Sequence, residues 1–208
     1  MGDKLLFFKS FLSNPATLGS IAPSGKWLVK DLLAGVDFER CRTIVEYGAG
    51  TGVFTDEIVR RLHPEARFLT IELNDDLYAS LKDRYHDPRV HVVHGSAADV
   101  QKYLAEFGMA QPEAIVSGLP FTSLPDDLRH EILVATVQTL APGGRFFLYQ
   151  YTTLLYGLLQ RYFEAIHTRW TFWNVPPAFS FYCERPRLPG GQLPGPRTAS
   201  TSETQAAG

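Results

Sequence analysis

The chain has 208 residues, of which 45% are hydrophobic and 20% are charged, so one globular domain with a well-buried core is expected. Twenty basic residues against 22 acidic ones give a formal net charge of -2, without a block of like charge. This composition argues against a dedicated nucleic-acid binder, which usually carries an evident basic face. The two cysteines have neither metal-binding nor redox spacing, so they suit a reducing cytosol, and no metal site is predicted.

Residues 1–35 are predicted to form an N-terminal region ahead of the main domain. Residues 3–13 give a short amphipathic helix with phenylalanine and leucine along one side, which either lies in a lipid interface or packs on the core. Neither a signal peptide nor a run of about 20 apolar residues is found, so we expect a cytoplasmic protein. A turn-rich link then leads to a helix at 25–33, for which Ser24 is a candidate N-cap.

Residues 44–52 form an apolar run that ends at an acid and continues into three alternating glycines, Gly48, Gly50 and Gly52. The β-branched run predicts a buried strand, and the glycines let backbone N–H groups approach a ligand that any Cβ would hold off. Residues 53–62 have helical periodicity, so the loop lies between a strand and a helix, as a nucleotide-binding loop does. The bulky Val53 disfavours the dinucleotide fingerprint, and no Lys-Ser/Thr pair follows to make a P-loop.

A second acid, Glu72, closes the next predicted strand, where a carboxylate can accept both hydroxyls of a ribose. An acid, Gly-x-Gly-x-Gly and a second acid at the end of the next strand resemble the class I S-adenosylmethionine-dependent methyltransferases. The resemblance implies S-adenosyl-L-methionine as cofactor, with the glycine loop under its methionine part. It also implies that Glu72, next to Leu73, holds the ribose and that Glu46 orients the amino end of the cofactor.

Strands and helices alternate through the rest of the chain with short connections. The predicted strands after the first are 67–72, 90–94, 114–117, 145–151, 168–173 and 178–183, and the predicted helices after the loop are 53–62, 75–85, 98–107, 124–140 and 154–166. Such alternation gives right-handed crossovers and a parallel sheet with helices on both faces. We therefore predict an α/β fold over residues 36–185: a seven-stranded, mostly parallel, Rossmann-like methyltransferase sheet with an antiparallel C-terminal strand. The composition of residues 186–208 predicts a disordered tail.

Two further stretches resemble the bacterial phospholipid N-methyltransferases, which methylate phosphatidylethanolamine and whose fold neighbours are the rRNA adenine dimethylases. One is the phenylalanine-rich start followed by N-P-x-T-x-G-x-I-x-P-S at 14–24. The resemblance implies that this link covers the carboxylate end of the cofactor as a lid, with binding roles for Ser20, Ile21 and Ser24; a capped turn is the alternative.

The other stretch is the R-x-x-x-x-N-x-P-P-A spacing that begins at Arg169 and includes Asn174. In those enzymes this is the C-terminal signature, which implies substrate-binding roles for both residues. Arg169 would pair with a lipid phosphate. Ordinary packing of an edge hairpin is the alternative.

The turn after the third strand recognises adenine in related methyltransferases. Ser96, the backbone of Ala97 and Asp99 are the candidate acceptors for the exocyclic amine. Asp99 has an alternative role as a solvated residue in the first turn of a helix.

The turn after the fourth strand, S-G-L-P-F, is where amino methyltransferases hold the acceptor nitrogen. The carbonyls of Ser117 and Gly118 would orient an amine, Ser117 would also contact the cofactor, and Phe121 would cover the methyl group. Because adenine methylases have a polar residue at the position of Gly118, this form favours the phospholipid enzymes. Leu119 and Pro120 complete this candidate catalytic loop. The alternative is that Leu119 and Pro120 merely end a strand and Phe121 is core.

The sequence thus predicts a methyltransferase that acts on phosphatidylethanolamine and its partly methylated products. It would be cytoplasmic, peripherally associated with the inner face of the membrane and without a nucleic-acid partner. The general base stays open between Tyr151, Glu46 and water. An RNA or DNA adenine N6-methylase and a catalytically silent cofactor-binding fold are the alternatives.

Overall fold

The computed structural model describes residues 25–171 and 177–189. Several predictions lie outside these ranges: the helix at 3–13, the link residues Ser20, Ile21 and Ser24, the substrate candidate Asn174 and residues 190–208 of the tail.

Seven strands form one sheet in the order β3-β2-β1-β4-β5-β7-β6. The strands are β1 (Thr43–Tyr47), β2 (Arg67–Glu72), β3 (Val90–His94), β4 (Ala114–Ser117), β5 (Arg145–Gln150), β6 (Phe163–Thr171) and β7 (Ala178–Pro186). Strands β1 to β5 pair in parallel, and β7 runs antiparallel to both β5 and β6, which confirms the predicted sheet. The strand order reverses between β1 and β4, and open α/β sheets bind ligands at the carboxyl ends of the strands at such a switch point.

Helices cover both faces of the sheet. They are α1 (Gly25–Leu33), α2 (Val53–Arg61), α3 (Asp75–Arg84), α4 (Val100–Glu106), α5 (Asp126–Thr139) and α6 (Tyr156–Leu159), with 3-10 turns at Ala97–Asp99 and Phe121–Ser123. Helices α1 to α3 share a core with alternate strand residues such as Ile44 and Phe68. The intervening residues, such as Val45 and Leu69, pack with α4 to α6, as the period-two geometry of strands requires.

None of the helices in the described ranges is both long enough and apolar enough to cross a bilayer. Helix α1, which the sequence assigns to the N-terminal region, buries Val29, Leu32 and Leu33 in the same core as the sheet. Strand β7 extends one residue past the predicted domain end at 185.

The predicted helix at 154–166 is wrong in its second half. Leu155, Leu159, Tyr162 and Phe163 have the spacing of one helix face, and all four are buried, but the helix ends at Leu159. The chain then enters β6 at Phe163, which pairs with Pro186 of β7. Pairing with a strand about twenty residues away therefore overrides the local helical pattern, as tertiary context often does.

Candidate active site

The glycine loop joins β1 to α2 in a conformation that requires glycine. Gly48, Gly50 and Gly52 have φ angles of 68°, 59° and 88°, in the left-handed region that side chains disfavour. The Gly48 N–H donates to the carbonyl of Ile71 at 2.8 Å, and Gly52 is the N-cap of α2. The predicted strand, loop and helix are thus confirmed.

Glu72, at the end of β2, holds this loop through its carboxylate and is only 3% exposed. Its Oε2 accepts from the Gly50 N–H at 2.8 Å, and its Oε1 accepts from the N–H groups of Leu73 and Asn74, each at 2.8 Å. A carboxylate has about four acceptor positions, so these three bonds leave capacity for another donor. The sequence pointed to the acid but not to its bond with Gly50.

Glu46 is buried between β1, β2 and α2. Its Oε2 accepts the hydroxyls of Thr55 and Thr70, both at 2.7 Å. Burial outweighs these two bonds and raises the pKa of Glu46 to about 7. Its Oε1 has no hydrogen-bond partner within the part of the chain that the structure describes, and such a buried acceptor suits a bound N–H or cationic group.

A cleft opens at the carboxyl ends of β1 to β4. It is lined by Gly48, Ile71, Glu72, Leu73, Gly95, Ser96, Ala97, Leu119 and Ile132. The structure therefore brings together five of the predicted cofactor residues. Asp99 is exposed and does not line the cleft, which agrees with its alternative as a solvated residue. The Ser96 hydroxyl accepts from the Ala98 N–H at 3.2 Å as the cap of the 3-10 turn.

Two tyrosines pack beside the loops of the cleft: Tyr103 on the turn after β3, and Tyr85 next to the glycine loop. The sequence patterns pointed to neither. A Cβ at Gly95 would lie 2.0 Å from the Tyr103 hydroxyl, so the side chain from α4 packs directly on the turn after β3. Tyr85, which follows α3, donates to Asp56 of α2 at 2.6 Å, just beyond the glycine loop. Both are ordinary aromatic residues in the sequence, and only the packing of helices on the sheet reveals their position.

The S-G-L-P-F loop after β4, residues 117–121, lies against the glycine loop. The Gly118 N–H donates to the Tyr47 carbonyl at 2.8 Å, and the Ser117 hydroxyl accepts from the Leu119 N–H at 3.2 Å. A Cβ at Gly118 would lie 2.7 Å from the Gly48 carbonyl oxygen. Close backbone packing is therefore sufficient to explain a glycine at position 118. The glycine need not reflect which acceptor the enzyme methylates.

Phe121 does not lie over the site as predicted. Its ring is fully buried and packs edge-on against Phe146, with ring centroids 6.0 Å apart. The alternative interpretation, that Phe121 is a core residue, describes the structure. The 3-10 turn that begins at Phe121 directs the ring inward, away from the cleft, and Pro120 immediately precedes this turn.

Gln150, the last residue of β5, supports the same loop from the other side and was missed by the sequence reasoning. Its side chain is buried, and Nε2 donates to the Leu119 carbonyl at 3.0 Å. Its Oε1 accepts from the N–H and hydroxyl of Thr122, both at 3.5 Å. The predicted catalytic residue Tyr151 comes next and is 48% exposed, with its ring 6.0 Å from that of Tyr149.

Arg169, the predicted phosphate ligand, lies near the end of β6. Its Nη1 donates to Asp31 of α1 at 2.9 Å, and 59% of its side chain is exposed. Asp31 also accepts the hydroxyls of Thr171 and Ser180, at 2.8 and 3.2 Å. One nitrogen of the guanidinium is thus engaged in joining α1 to the C-terminal hairpin, and the phosphate role stays a prediction.

The residues present fit S-adenosyl-L-methionine. Glu72 retains acceptor capacity for a ribose. Among the described residues, Glu46 Oε1 lacks a donor, and a Cβ at Gly50 would meet nothing within 4 Å. The backbone at Gly50 is therefore open to a ligand. When bound, this cofactor supplies an electrophilic methyl group on a sulfonium.

Comparisons with known proteins agree with this site. A family model described as a methyltransferase domain matches residues 44–144. The ornithine lipid N-methyltransferase of Singulisphaera acidiphila is 32% identical over 188 residues, which cover 88% of this chain and 96% of that protein. The ribosomal RNA small subunit methyltransferase A of Dehalococcoides mccartyi strain BAV1 is 27% identical over 97 residues, covering 45% of this chain and 31% of that protein.

Among solved structures, the 1,6-didemethyltoxoflavin-N1-methyltransferase of Burkholderia thailandensis, with S-adenosylhomocysteine bound, has a TM-score of 0.64. Its sequence is 15% identical, and the match covers 88% of each chain. The fold, the glycine loop and the two acids thus define a class I S-adenosylmethionine-dependent methyltransferase. Since the likeness to the Singulisphaera enzyme extends over most of both chains, this chain belongs to the bacterial lipid N-methyltransferase family, as its sequence motifs predicted.

Proposed function

We propose that the protein methylates the amine nitrogen of a lipid head group, with phosphatidylethanolamine and its partly methylated products as acceptors. The observation that carries this proposal is the extent of the match to the ornithine lipid N-methyltransferase, 88% of the chain. The match to the ribosomal RNA enzyme covers 45%. Ornithine and ethanolamine head groups are both amines, so one site chemistry serves either.

The loop after β4 is the element that would hold this amine. Two hydrogen bonds fix its backbone: the Gly118 N–H donates to the Tyr47 carbonyl, and the Gln150 amide donates to the Leu119 carbonyl. The carbonyls of Ser117 and Gly118 would then accept the N–H groups of the amine. Since the methyl donor is already a strong electrophile, the contribution of the protein is chiefly alignment of the attacking nitrogen.

The amine must be neutral when it attacks, and two protein groups are candidates for the proton. Tyr151 is half exposed at the end of β5, whereas Glu46 is buried under α2 and hydrogen-bonded to two hydroxyls. Exposure favours Tyr151 or solvent over Glu46, because an exposed group can return the proton to water directly, whereas Glu46 is 1% exposed.

An ornithine lipid is the second candidate acceptor, and the likeness to the ornithine lipid N-methyltransferase of Singulisphaera favours it. Either acceptor resides in a membrane. We therefore also propose that the protein works in the cytoplasm, peripherally bound to the inner face of the membrane, with the phospholipid surface as its partner.

The test is incorporation of tritiated methyl groups from the cofactor into three acceptors, offered separately: phosphatidylethanolamine vesicles, vesicles that contain ornithine lipid, and RNA. The assay belongs at low salt, where electrostatic binding to RNA is strongest. We expect label in phosphatidylethanolamine. Label in ornithine lipid alone would move the assignment to the second candidate, and label in RNA alone would overturn the lipid assignment. The Glu72→Ala variant, with its cofactor site damaged, is the control for enzymatic transfer.

A further inference from the structure

Four large apolar side chains are exposed together at the carboxyl end of the sheet. They are Tyr151, Leu154 and Tyr156 in the connection from β5 to α6, and Trp170 near the end of β6, with exposures of 48%, 83%, 38% and 49%. Among the described residues, only one other large hydrophobic side chain, Trp27, is as exposed. We call these four residues the apolar rim. Large apolar groups exposed along one edge of a fold are typical of interaction surfaces.

The apolar rim is held in place by the core. Leu155 and Leu159 are 1% and 0% exposed, so the connection is anchored on both sides of Tyr156. The ring of Trp170 stacks on that of Phe179, with centroids 5.6 Å apart and planes 10° apart. The exposed side chains are thus presented by a fixed backbone.

The apolar rim borders the loop that would hold the acceptor. Strand β5 ends at Gln150, whose amide binds the Leu119 carbonyl, and the chain enters the rim at the next residue. Strands β5 and β6 run in the same direction, since both are antiparallel to β7. Trp170 therefore lies at the same edge of the sheet as Tyr151.

Charge favours a lipid surface as the occupant. The chain has 22 acidic residues, yet residues 145–183 include one, Glu164. Glu164 lies at the start of β6, the end opposite to Trp170. Arg169, next to Trp170, is 59% exposed in its side chain. Asp31 of α1, the acid bonded to Arg169, is only 17% exposed in its side chain and engages one guanidinium nitrogen. A surface with aromatic groups, a partly exposed guanidinium and no exposed acid at that end of its own segment complements the interface of an anionic bilayer, where tryptophan and tyrosine concentrate.

We infer that the apolar rim docks on a phospholipid bilayer, with Leu154 and Tyr156 entering the boundary between head groups and acyl chains. A lipid amine would then reach the loop after β4 while its acyl chains stay in the membrane. This inference rests on the proposed function, and it adds a membrane contact separate from the predicted N-terminal helix at 3–13.

The test is cosedimentation of the full chain with vesicles of phosphatidylethanolamine and phosphatidylglycerol. Leu154→Asp should weaken vesicle binding at least about tenfold, since burial of a leucine side chain is lost and a charge is introduced. The matched control is Ala110→Asp, which adds the same charge at an exposed position in the loop before β4, at the amino end of the sheet. This control should bind as the unmodified protein does.

Cofactor affinity and methylation of phosphatidylethanolamine in detergent micelles separate docking from catalysis. Leu154→Asp should leave both unchanged while methylation on vesicles falls. Vesicle binding equal to that of the Ala110→Asp control would overturn the inference. If even the unmodified protein methylates no lipid, the proposed function fails, but the binding comparison still decides whether the rim contacts the bilayer.

Discussion

The two halves of the carboxyl edge of the sheet are built from different groups. At β1 and β2 the site consists of backbone amides and two buried carboxylates, Glu46 and Glu72, which are 1% and 3% exposed. At β5 and β6 the edge carries aromatic side chains about half exposed, such as Tyr151 and Trp170. The first half is organised by short hydrogen bonds that tolerate little displacement, and the second by apolar surface. We expect mutations to affect the two halves separately.

The largest expected effect is in the cofactor half. Glu72→Ala should raise the cofactor dissociation constant at least tenfold, because each bond from a donor to this charged acceptor contributes roughly 1.5 to 3 kcal/mol. Isothermal calorimetry would measure it. Asp76→Ala, which removes an exposed acid in the first turn of α3, is the control. Equal affinity of the two folded variants would remove Glu72 from the site.

The next effect is on stability and depends on pH. Burial raises the pKa of Glu46 from 4.5 to about 7 in the folded protein. The protonated carboxyl therefore stabilises the fold fully below pH 4.5, and this contribution is lost as the pH rises to about 7. A shift of this size corresponds to roughly 3 kcal/mol.

Glu46→Gln does not titrate, and its amide oxygen can still accept from Thr55 and Thr70. We expect the melting temperature of the variant, relative to the unmodified protein, to rise between pH 4.5 and 7 and to stay level above that. A difference in melting temperature that does not change with pH would show that Glu46 ionises normally in the fold.

The sequence predicts the half at β1 and β2 better than the half at β5 and β6 for a physical reason. The glycine loop and Glu72 follow from local patterns, since positive φ angles and strand ends leave a trace in a few consecutive residues. The bond between Gln150 and Leu119 joins positions 31 residues apart, and that between Arg169 and Asp31 joins positions 138 apart. No local pattern indicates such contacts. The same limit explains the incorrect helix at 154–166, where pairing with β7 decides the outcome.

A smaller effect is expected where the loop after β4 touches the glycine loop. Gly118→Ala would place a Cβ 2.7 Å from the Gly48 carbonyl oxygen, so one of the two loops must move, at a cost of about 1–3 kcal/mol in unfolding free energy. Both cofactor affinity and turnover should fall. Gly157→Ala is the control, because a Cβ there meets nothing within 4 Å in the described ranges and the position has no positive φ. Chemical denaturation would compare the unfolding free energies of the two variants. Equal values would show that the loops have room to adjust.

The smallest effect tests whether the halves are separable. Gln150→Leu keeps a buried side chain of similar size but removes the donor to the Leu119 carbonyl and the acceptor for Thr122. Hydrogen bonds of this kind contribute about 0.5–1.5 kcal/mol each. If the loop after β4 holds the acceptor as proposed, loosening it should lower kcat roughly tenfold. Gln111→Leu, at an exposed position before β4, should leave kcat unchanged.

The cofactor dissociation constant of Gln150→Leu decides whether the two halves of the edge respond separately. Glu72 and the glycine loop make no hydrogen bond to Gln150, so calorimetry should give the same cofactor affinity as for the unmodified protein while kcat falls. If cofactor affinity falls together with kcat, displacement of the loop after β4 has reached Gly48 through Gly118. The carboxyl edge would then act as one unit, and the surface at β5 and β6 could not change without disturbing the cofactor.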